Sequence, residues 1–332
     1  MSSAAGNKNN TAPRLTAQVR RTISGEDALA DPVGRQYVPD EREDTVLPHE
    51  DADPIGDDAH SPVKGVVHRY PDRVLLKITD TCAVYCRFCF RKEMVGKGDG
   101  ILKRNTLEQA YAYIESRPQI REVILTGGDP LTLSNRRLKE VLDRLSSIPH
   151  LDIVRFHTRA PLVDPGRVDE ELCALLADMA KAVYVVLHVN HAQEIDERVR
   201  AAFRRLNGSG AVLLSQSVLL KGVNDDPAIL EDLFRTLLKN RVKPYYLHHP
   251  DLAPGTSHFR LSIARGQEIV SALRGRVTGL AWPTYVLDIP GGHGKMPLMP
   301  SYIRETTTGC YLVEDYQGTK HKYEDDLKQG TE

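Results

Sequence analysis

Residues 74–89 read VLLKITDTCAVYCRFC. An apolar run, Val74–Ile78, has the length and composition of a buried strand, and three cysteines, Cys82, Cys86 and Cys89, follow it at once. Three thiolates cannot complete a four-cysteine site. A four-iron, four-sulfur cluster held by them would keep one iron open to a small molecule. A structural zinc ion would want a fourth ligand, and the remaining cysteines, Cys173 and Cys310, stand alone. Cys173 falls beside the apolar stripe of a helical pattern and reads as packing.

Working outward, the strand–helix alternation that begins at Val74 repeats along the chain. Strand-like runs recur at Glu122–Leu125, Asp152–Phe156, Val183–Leu187, Ala211–Leu214, Pro244–Leu247 and Thr284–Leu287. Between them lie helical patterns. Thr106 with Gln109 reads as a capping box, Ser134, Asp169 and Asp226-Pro227 as helix starts, Gly208 as a stop, and Ile263–Arg274 as the last helix. Repeated strand–helix units imply parallel strands joined by right-handed crossovers, hence an α/β fold with a full or partial barrel, of which the expectation is the partial (β/α)6 type. In such barrels chemistry gathers at the carboxyl ends of the strands. The unusual residues fall there: the cysteines after the first run, Gly127-Gly128-Asp129 after the second, His157 after the third, His188 after the fourth, Gln216 after the fifth, His248 to Asp251 after the sixth, and Asp288 to Lys295 after the seventh.

Composition narrows the setting. The chain has 332 residues, 41% hydrophobic and 27% charged, enough for a sizeable core. A formal net charge of -1 gives no basic field for nucleic acid or an anionic membrane. Five cysteines, three of them clustered, fit a reducing compartment rather than a disulfide framework. No apolar run reaches the ~18 residues of a membrane span, and Met1 to Asn10 lacks the apolar core of a signal peptide. The expectation is a cytoplasmic protein.

Two further stretches carry chemistry. Pro290-Gly291-Gly292-His293-Gly294-Lys295 is glycine-rich and ends on a lysine at the active end of the barrel. A lysine in such a pocket can form a Schiff base with pyridoxal phosphate. His68-Arg69-Tyr70-Pro71-Asp72-Arg73 offers two guanidinium forks and a phenol for the cofactor's phosphate. Each lysine or arginine alone would be an ordinary surface residue; their shared location is what argues otherwise.

The blocks HRYPDRVLLKITDTC, CRFCFRK, TGGDP, QSVLLKGVND, PYYLHHPDLAPGTSHFR and PTYVLDIPGGHGKMP, in this order between about Asp53 and Tyr302, resemble the lysine 2,3-aminomutase family of the radical S-adenosylmethionine superfamily. The resemblance implies a radical SAM barrel with an N-terminal extension, holding a [4Fe-4S] cluster, S-adenosyl-L-methionine and pyridoxal 5'-phosphate. It places the cluster on Cys82, Cys86 and Cys89, and S-adenosylmethionine on Phe88, Gly127, Gly128, Asp129, His188 and Gln216. It gives the Schiff base to Lys295, the cofactor phosphate to Arg69, Tyr70 and Arg73, the substrate carboxylate to Arg91, and the distal ammonium of lysine to Asp251 and Asp288. The implied reaction interconverts L-lysine and β-lysine: a 5'-deoxyadenosyl radical removes a β-hydrogen, and the amino nitrogen moves from the α- to the β-carbon. An electron donor such as flavodoxin or ferredoxin is implied as partner.

The substrate reading rests on charge. Lysine held through its α-nitrogen presents one carboxylate and one remote ammonium, which one arginine and two acids match. A glutamate-specific relative would need a cationic or neutral group where Asp251 and Asp288 stand. Similar residues would serve an aminomutase making β-lysine for elongation factor P, or one acting on arginine or ornithine. A metal-binding barrel without catalysis is the alternative from another class. The tail after Tyr302 lacks the cysteine group with which longer relatives bind zinc and pair subunits, so a homo-oligomer without that zinc-linked swap is expected. Domain limits on this reading are a disordered tail at 1–20, an extension wrapping the barrel at 21–66, the barrel at 67–303 and a short C-terminal tail at 304–332.

Overall fold

The computed structural model describes residues 13–98 and 100–325. A short helix, α1 (Ala17–Thr22), leads through an extension with little regular structure into a hairpin of β1 (Val66–Tyr70) and β2 (Arg73–Thr79). Then follow α2 (Arg104–Glu115), β3 (Glu122–Gly127), α3 (Asn135–Ser146), β4 (Ile153–Thr158), α4 (Ala160–Val163), α5 (Glu170–Ala177), β5 (Ala182–His188), α6 (Glu197–Gly208) and β6 (Val212–Val218). The barrel ends with α7 (Pro227–Lys239), β7 (Lys243–His248), α8 (Ile263–Ser271), β8 (Thr284–Asp288) and β9 (Lys295–Pro297).

These strands form one nine-stranded sheet in sequence order. β2 to β8 run parallel, joined by six helical crossovers, while β1 and β9 flank them antiparallel. The sheet curls into an open partial barrel of the (β/α)6 type. Alternation along each strand decides what faces where. In β2, Val74, Leu76 and Ile78 are buried under the helices, and α3 lays Leu138, Val141, Leu142 and Leu145 into that layer. The concave face carries Ile124 and Thr126 of β3, His157 of β4, His188 of β5, Gln216 and Val218 of β6, and Tyr246 and His248 of β7, which line a cavity. Side chains that would fill a closed barrel's interior here surround a space for ligands.

Several local expectations are corrected. α2 starts at Arg104, with Lys103 at its N-cap, so Thr106 lies inside the helix and forms no capping box; α6 runs through Gly208, and the turn falls on Gly210 with φ 83°. The expected tail is helical from Ala17. Thr16 caps that helix, Val19 is buried in the core, and Gln18 donates to Asp196 at 2.7 Å. Disorder was expected also for residues 1–12, which lie outside the described residues. The tail after Tyr302 forms a separate antiparallel sheet of β10 (Ile303–Thr307), β11 (Cys310–Glu314) and β12 (Lys320–Glu324). Among the described residues no helix is long and apolar enough to cross a membrane.

Candidate active site

The parallel register builds the site strand by strand. His188 pairs with Gln216, Gln216 with Tyr246, and Val218 with His248, so the last turns of neighbouring strands stand in one arc. At β7 the register slips around Tyr245, next to Pro244, which cannot donate to the ladder. The arc walls a cavity of about 390 Å³, and every residue to which the resemblance gives a site role lines it.

Cys82, Cys86 and Cys89 occupy the turns after β2 and line this cavity. Among the described residues no three His, Cys, Asp or Glu side chains gather around a point where a single metal ion would sit. The thiols line the wall of the larger space instead. Each is half-buried, and the low-dielectric surroundings push all three up, Cys89 to about 11 with the neighbouring Cys86 adding to it. Such sulfurs become thiolates only beside a strong positive charge, which iron provides.

The loop's shape is set from the N-terminal extension. The Arg87 amide donates to the Gln36 carbonyl at 2.8 Å, and the buried Arg87 guanidinium pairs with Glu43, Nε to Oε1 at 2.7 Å. Arg159, at the end of β4, donates to Gln36 at 3.1 Å and to the Tyr37 hydroxyl, stands 3.7 Å from Glu194, and lies over the Phe88 ring at 5.3 Å. Phe88 also meets Phe259 edge to face. Sequence reading found Phe88 and placed Arg159 at a strand end, but not the collar of Gln36, Tyr37, Glu43 and Glu194 around them. Its members lie far apart in the chain, and no local spacing announces them.

Gly127 and Gly128 turn the end of β3 against the cysteine loop. A Cβ on Gly127 (φ 113°) would sit 2.2 Å from the Thr79 carbonyl oxygen, and one on Gly128 2.3 Å from that of Thr81. The glycines thus allow backbone to approach backbone beside the cluster loop, in addition to any ligand. Asp129 is buried and accepts from the Thr158 hydroxyl at 2.7 Å and from the amides of Leu131, Arg159 and Ala160 at 3.0, 2.8 and 2.9 Å. It ties the ends of β3 and β4 together. Gln216 and His188 are joined Nε2 to Nε2 at 2.6 Å, and burial, with Arg159 next, pushes His188 down to about 3, so its imidazole is neutral.

On the same cavity wall, β9 brings Lys295 beside Asp288. The Nζ lies 2.6 and 2.7 Å from the two carboxylate oxygens. His248 Nδ1 lies 3.2 Å from the same carboxylate. Burial opposes the Asp288 charge, but His248 and Lys295 outweigh it and hold the carboxyl well below its usual range. Asp251 behaves oppositely: burial and the Asp288 charge push it up to about 7.

Arg91 reaches under the cavity with Nε and Nη2 at 3.0 and 2.9 Å from Asp57 Oδ2, and Nη1 3.4 Å from the Thr126 hydroxyl. Arg69 donates to the Ile55 carbonyl at 2.6 Å and to Asp57 Oδ1 at 3.3 Å. Tyr70 accepts the Lys295 amide at 2.9 Å, and Arg73 stacks on the Tyr70 ring at 3.8 Å. Asp57 was invisible as an individual in the sequence. It stands in an acidic run whose charge was legible, but nothing local distinguished it from Asp53 or Asp58.

Three buried nitrogens on the cavity wall, Arg69 Nε, His157 Nε2 and His248 Nε2, have no hydrogen-bond partner among the described residues. Buried polar atoms are rarely left so unless a ligand meets them. Sulfurs, guanidinium groups and a lysine on the wall of one cavity, with unpartnered ring and guanidinium nitrogens among them, fit an iron–sulfur cluster and a phosphorylated cofactor held in the same space.

An open parallel half-barrel with a cysteine triad after its first parallel strand is the architecture of radical S-adenosylmethionine proteins. The model of the radical SAM superfamily matches residues 76–233, and that of lysine-2,3-aminomutase matches residues 270–329. L-lysine 2,3-aminomutase of Acetoanaerobium sticklandii is 40% identical over 89% of this chain and 71% of its own. The enzyme of that name from Fusobacterium nucleatum is 38% identical over 88% and 68%. Glutamate 2,3-aminomutase of Clostridioides difficile is also 38% identical, over 90% and 70%. The chain belongs to the lysine 2,3-aminomutase family. A [4Fe-4S] cluster, S-adenosylmethionine and pyridoxal phosphate are that family's cofactors.

Proposed function

We propose that the protein is an isomerase that interconverts L-lysine and β-lysine. The observation that carries this is the pairing of two acids, Asp251 and Asp288, at one side of the cavity with Arg91 at its floor. Overall identity alone does not choose the substrate, since the relative named for glutamate, at 38%, lies within the 37–40% span of those named for lysine. The charges do. Asp288 already receives an ammonium, that of Lys295, on both oxygens. Burial and Asp288 press Asp251 toward neutrality, a condition that a substrate ammonium between the two acids would relieve. A glutamate side chain there would add a third carboxylate, and a buried charge left unpaired costs about 3–5 kcal/mol.

When bound, the cluster with S-adenosylmethionine supplies a carbon radical, and pyridoxal phosphate a conjugated ring for the migrating nitrogen. The chain does the rest. Cys82, Cys86 and Cys89 hold the iron. Phe88, His188 and Gln216 line the S-adenosylmethionine side, with Gly127, Gly128 and Asp129 shaping its floor. Lys295 holds pyridoxal, and Arg69, Tyr70 and Arg73 hold its phosphate. Arg91 fixes the substrate's carboxylate and Asp251 with Asp288 its distal ammonium, so the two ends of the substrate set the position of the carbon between them. The apolar walls, Ile55, Val67 and Val218 among them, keep water from a radical. A cytoplasmic flavodoxin or ferredoxin as reductant, and a homo-oligomer, complete the proposal.

The test is a substrate panel. Reduced, reconstituted enzyme receives lysine, arginine, ornithine and glutamate in separate reactions, and β-amino acids are quantified. β-Lysine from lysine supports the reading; β-glutamate with no β-lysine overturns it.

A further inference from the structure

We infer that Asp57, on the N-terminal extension, is a positioning residue that aims Arg91 at the substrate's carboxylate. This rests on the aminomutase reading above and adds a residue that reading does not require. The Asp57 side chain is 1% exposed. Arg91 gives Asp57 its Nε–Nη2 edge, both nitrogens on one oxygen, while Nη1 points to Thr126. One edge of the fork is thus pinned from behind and the other remains for a planar carboxylate, the geometry in which a guanidinium binds with direction.

The charge count agrees. Arg69 and Arg91 share this one carboxylate, with Lys77 at 3.9 Å. Two guanidinium groups on one carboxylate leave a positive charge over at the cavity wall. A purely structural ion pair would leave none; an anion-binding site would.

The carboxylate is itself held still. Asp53 accepts the amides of Asp57 and Asp58, each at 2.8 Å. Gly56, at φ 64°, lies on the loop that leads to Lys295: a Cβ there would be 2.6 Å from the Gly291 carbonyl carbon. A Cβ on Gly292 would in turn meet the His60 ring at 2.5 Å. The stretch 53–60 is therefore seated between the Lys295 loop and the two arginines, and Asp57 is its only side chain to pair with both arginines. Preorganisation of this kind acts on binding and orientation more than on chemistry.

The experiment measures lysine and lysinamide binding to anaerobic holoenzyme without reductant, by calorimetry, for wild type, Asp57→Asn, Arg91→Gln and the double variant. Asp57→Asn should weaken lysine by about tenfold or more, as loss of one partner in a buried charge pair does. Lysinamide, lacking the carboxylate, should change by less than about twofold, and Asp57→Asn should add little on top of Arg91→Gln. Equal weakening of lysine and lysinamide, or additivity in the double variant, overturns the inference. If Asp57→Asn loses iron or pyridoxal absorbance, Asp57→Glu carries the same comparison: the carboxylate stays but moves by a methylene, and lysine alone should weaken. If Arg91→Gln leaves lysine binding unchanged, the assignment of Arg91 to the carboxylate fails instead. If Arg91→Gln acts and Asp57→Asn does not, only the present inference fails.

Discussion

Lys295 and Asp288 are register partners across β8 and β9, and the Lys295 ammonium rests on both Asp288 oxygens, at 2.6 and 2.7 Å. The antiparallel turn of β9 at the sheet edge thus brings a lysine back onto the residue that closes the last parallel strand. On the proposed function the same carboxylate receives a second kind of ammonium, that of the substrate. Replacing Asp288 with Asn should raise KM for lysine and lower kcat/KM by roughly two orders of magnitude or more, from the ~3–5 kcal/mol of an unpaired buried charge. Steady-state kinetics with lysine check this; a change under threefold would remove Asp288 from substrate binding.

Lys295→Ala should abolish the visible absorbance of protein-held pyridoxal while the broad iron–sulfur absorbance stays. The proposed holders of the two chromophores, Cys82, Cys86 and Cys89 for one and Lys295 for the other, share no residue. A spectrum of the variant that kept the pyridoxal band would put the attachment elsewhere.

Asp251 gives a pH dependence with a definite sign. Its carboxyl is raised to about 7, by burial first and by Asp288 second, with Lys295 and Arg91 opposing and Asp57 adding. A raised acid is neutral below that value and attracts an ammonium only above it. Lysine affinity should therefore strengthen as pH rises from about 6 to 8, a range in which the substrate's own side-chain ammonium does not titrate. Asp251→Asn should flatten the profile, measured as kcat/KM for lysine against pH. A wild-type profile that falls over this range would contradict the assignment.

How much of this was legible in the sequence follows from the range of the interactions. The seven parallel strands were legible because each is a short apolar run, and the arc of site residues because a parallel barrel places all strand ends on one face. β1 and β9 were not: each is defined by antiparallel pairing to a neighbour, and β9 is three exposed residues, 295–297, with no apolar pattern. α1 is six residues, too short for a stripe to show, and its stability comes from Val19 in the core and Gln18 on Asp196. Asp57, Glu43 and Gln36 act on partners 34, 44 and 51 residues or more away, Arg91, Arg87 and the Arg87 amide, so composition displayed an acidic surface segment and hid a binding collar.

Gly128 tests the link between fold and cluster. Adding a methyl there would place it 2.3 Å from the Thr81 carbonyl oxygen, on the backbone just before Cys82. Gly128→Ala should lower bound iron per chain and the melting temperature while far-UV circular dichroism stays unchanged, because the barrel itself is not touched. Cys173→Ser, in contrast, should keep its iron, since Cys173 packs against the core from α5. Iron retained in both, or lost in both, would disconnect the glycine turn from the cysteine loop.

The most direct measurement is a count on anaerobically purified protein: iron, acid-labile sulfide and pyridoxal phosphate per chain. The proposed assignment, with Cys82, Cys86 and Cys89 holding a four-iron cluster and Lys295 holding pyridoxal, predicts about four irons, about four sulfides and one pyridoxal. A colourless protein with a single zinc and no pyridoxal would contradict the account.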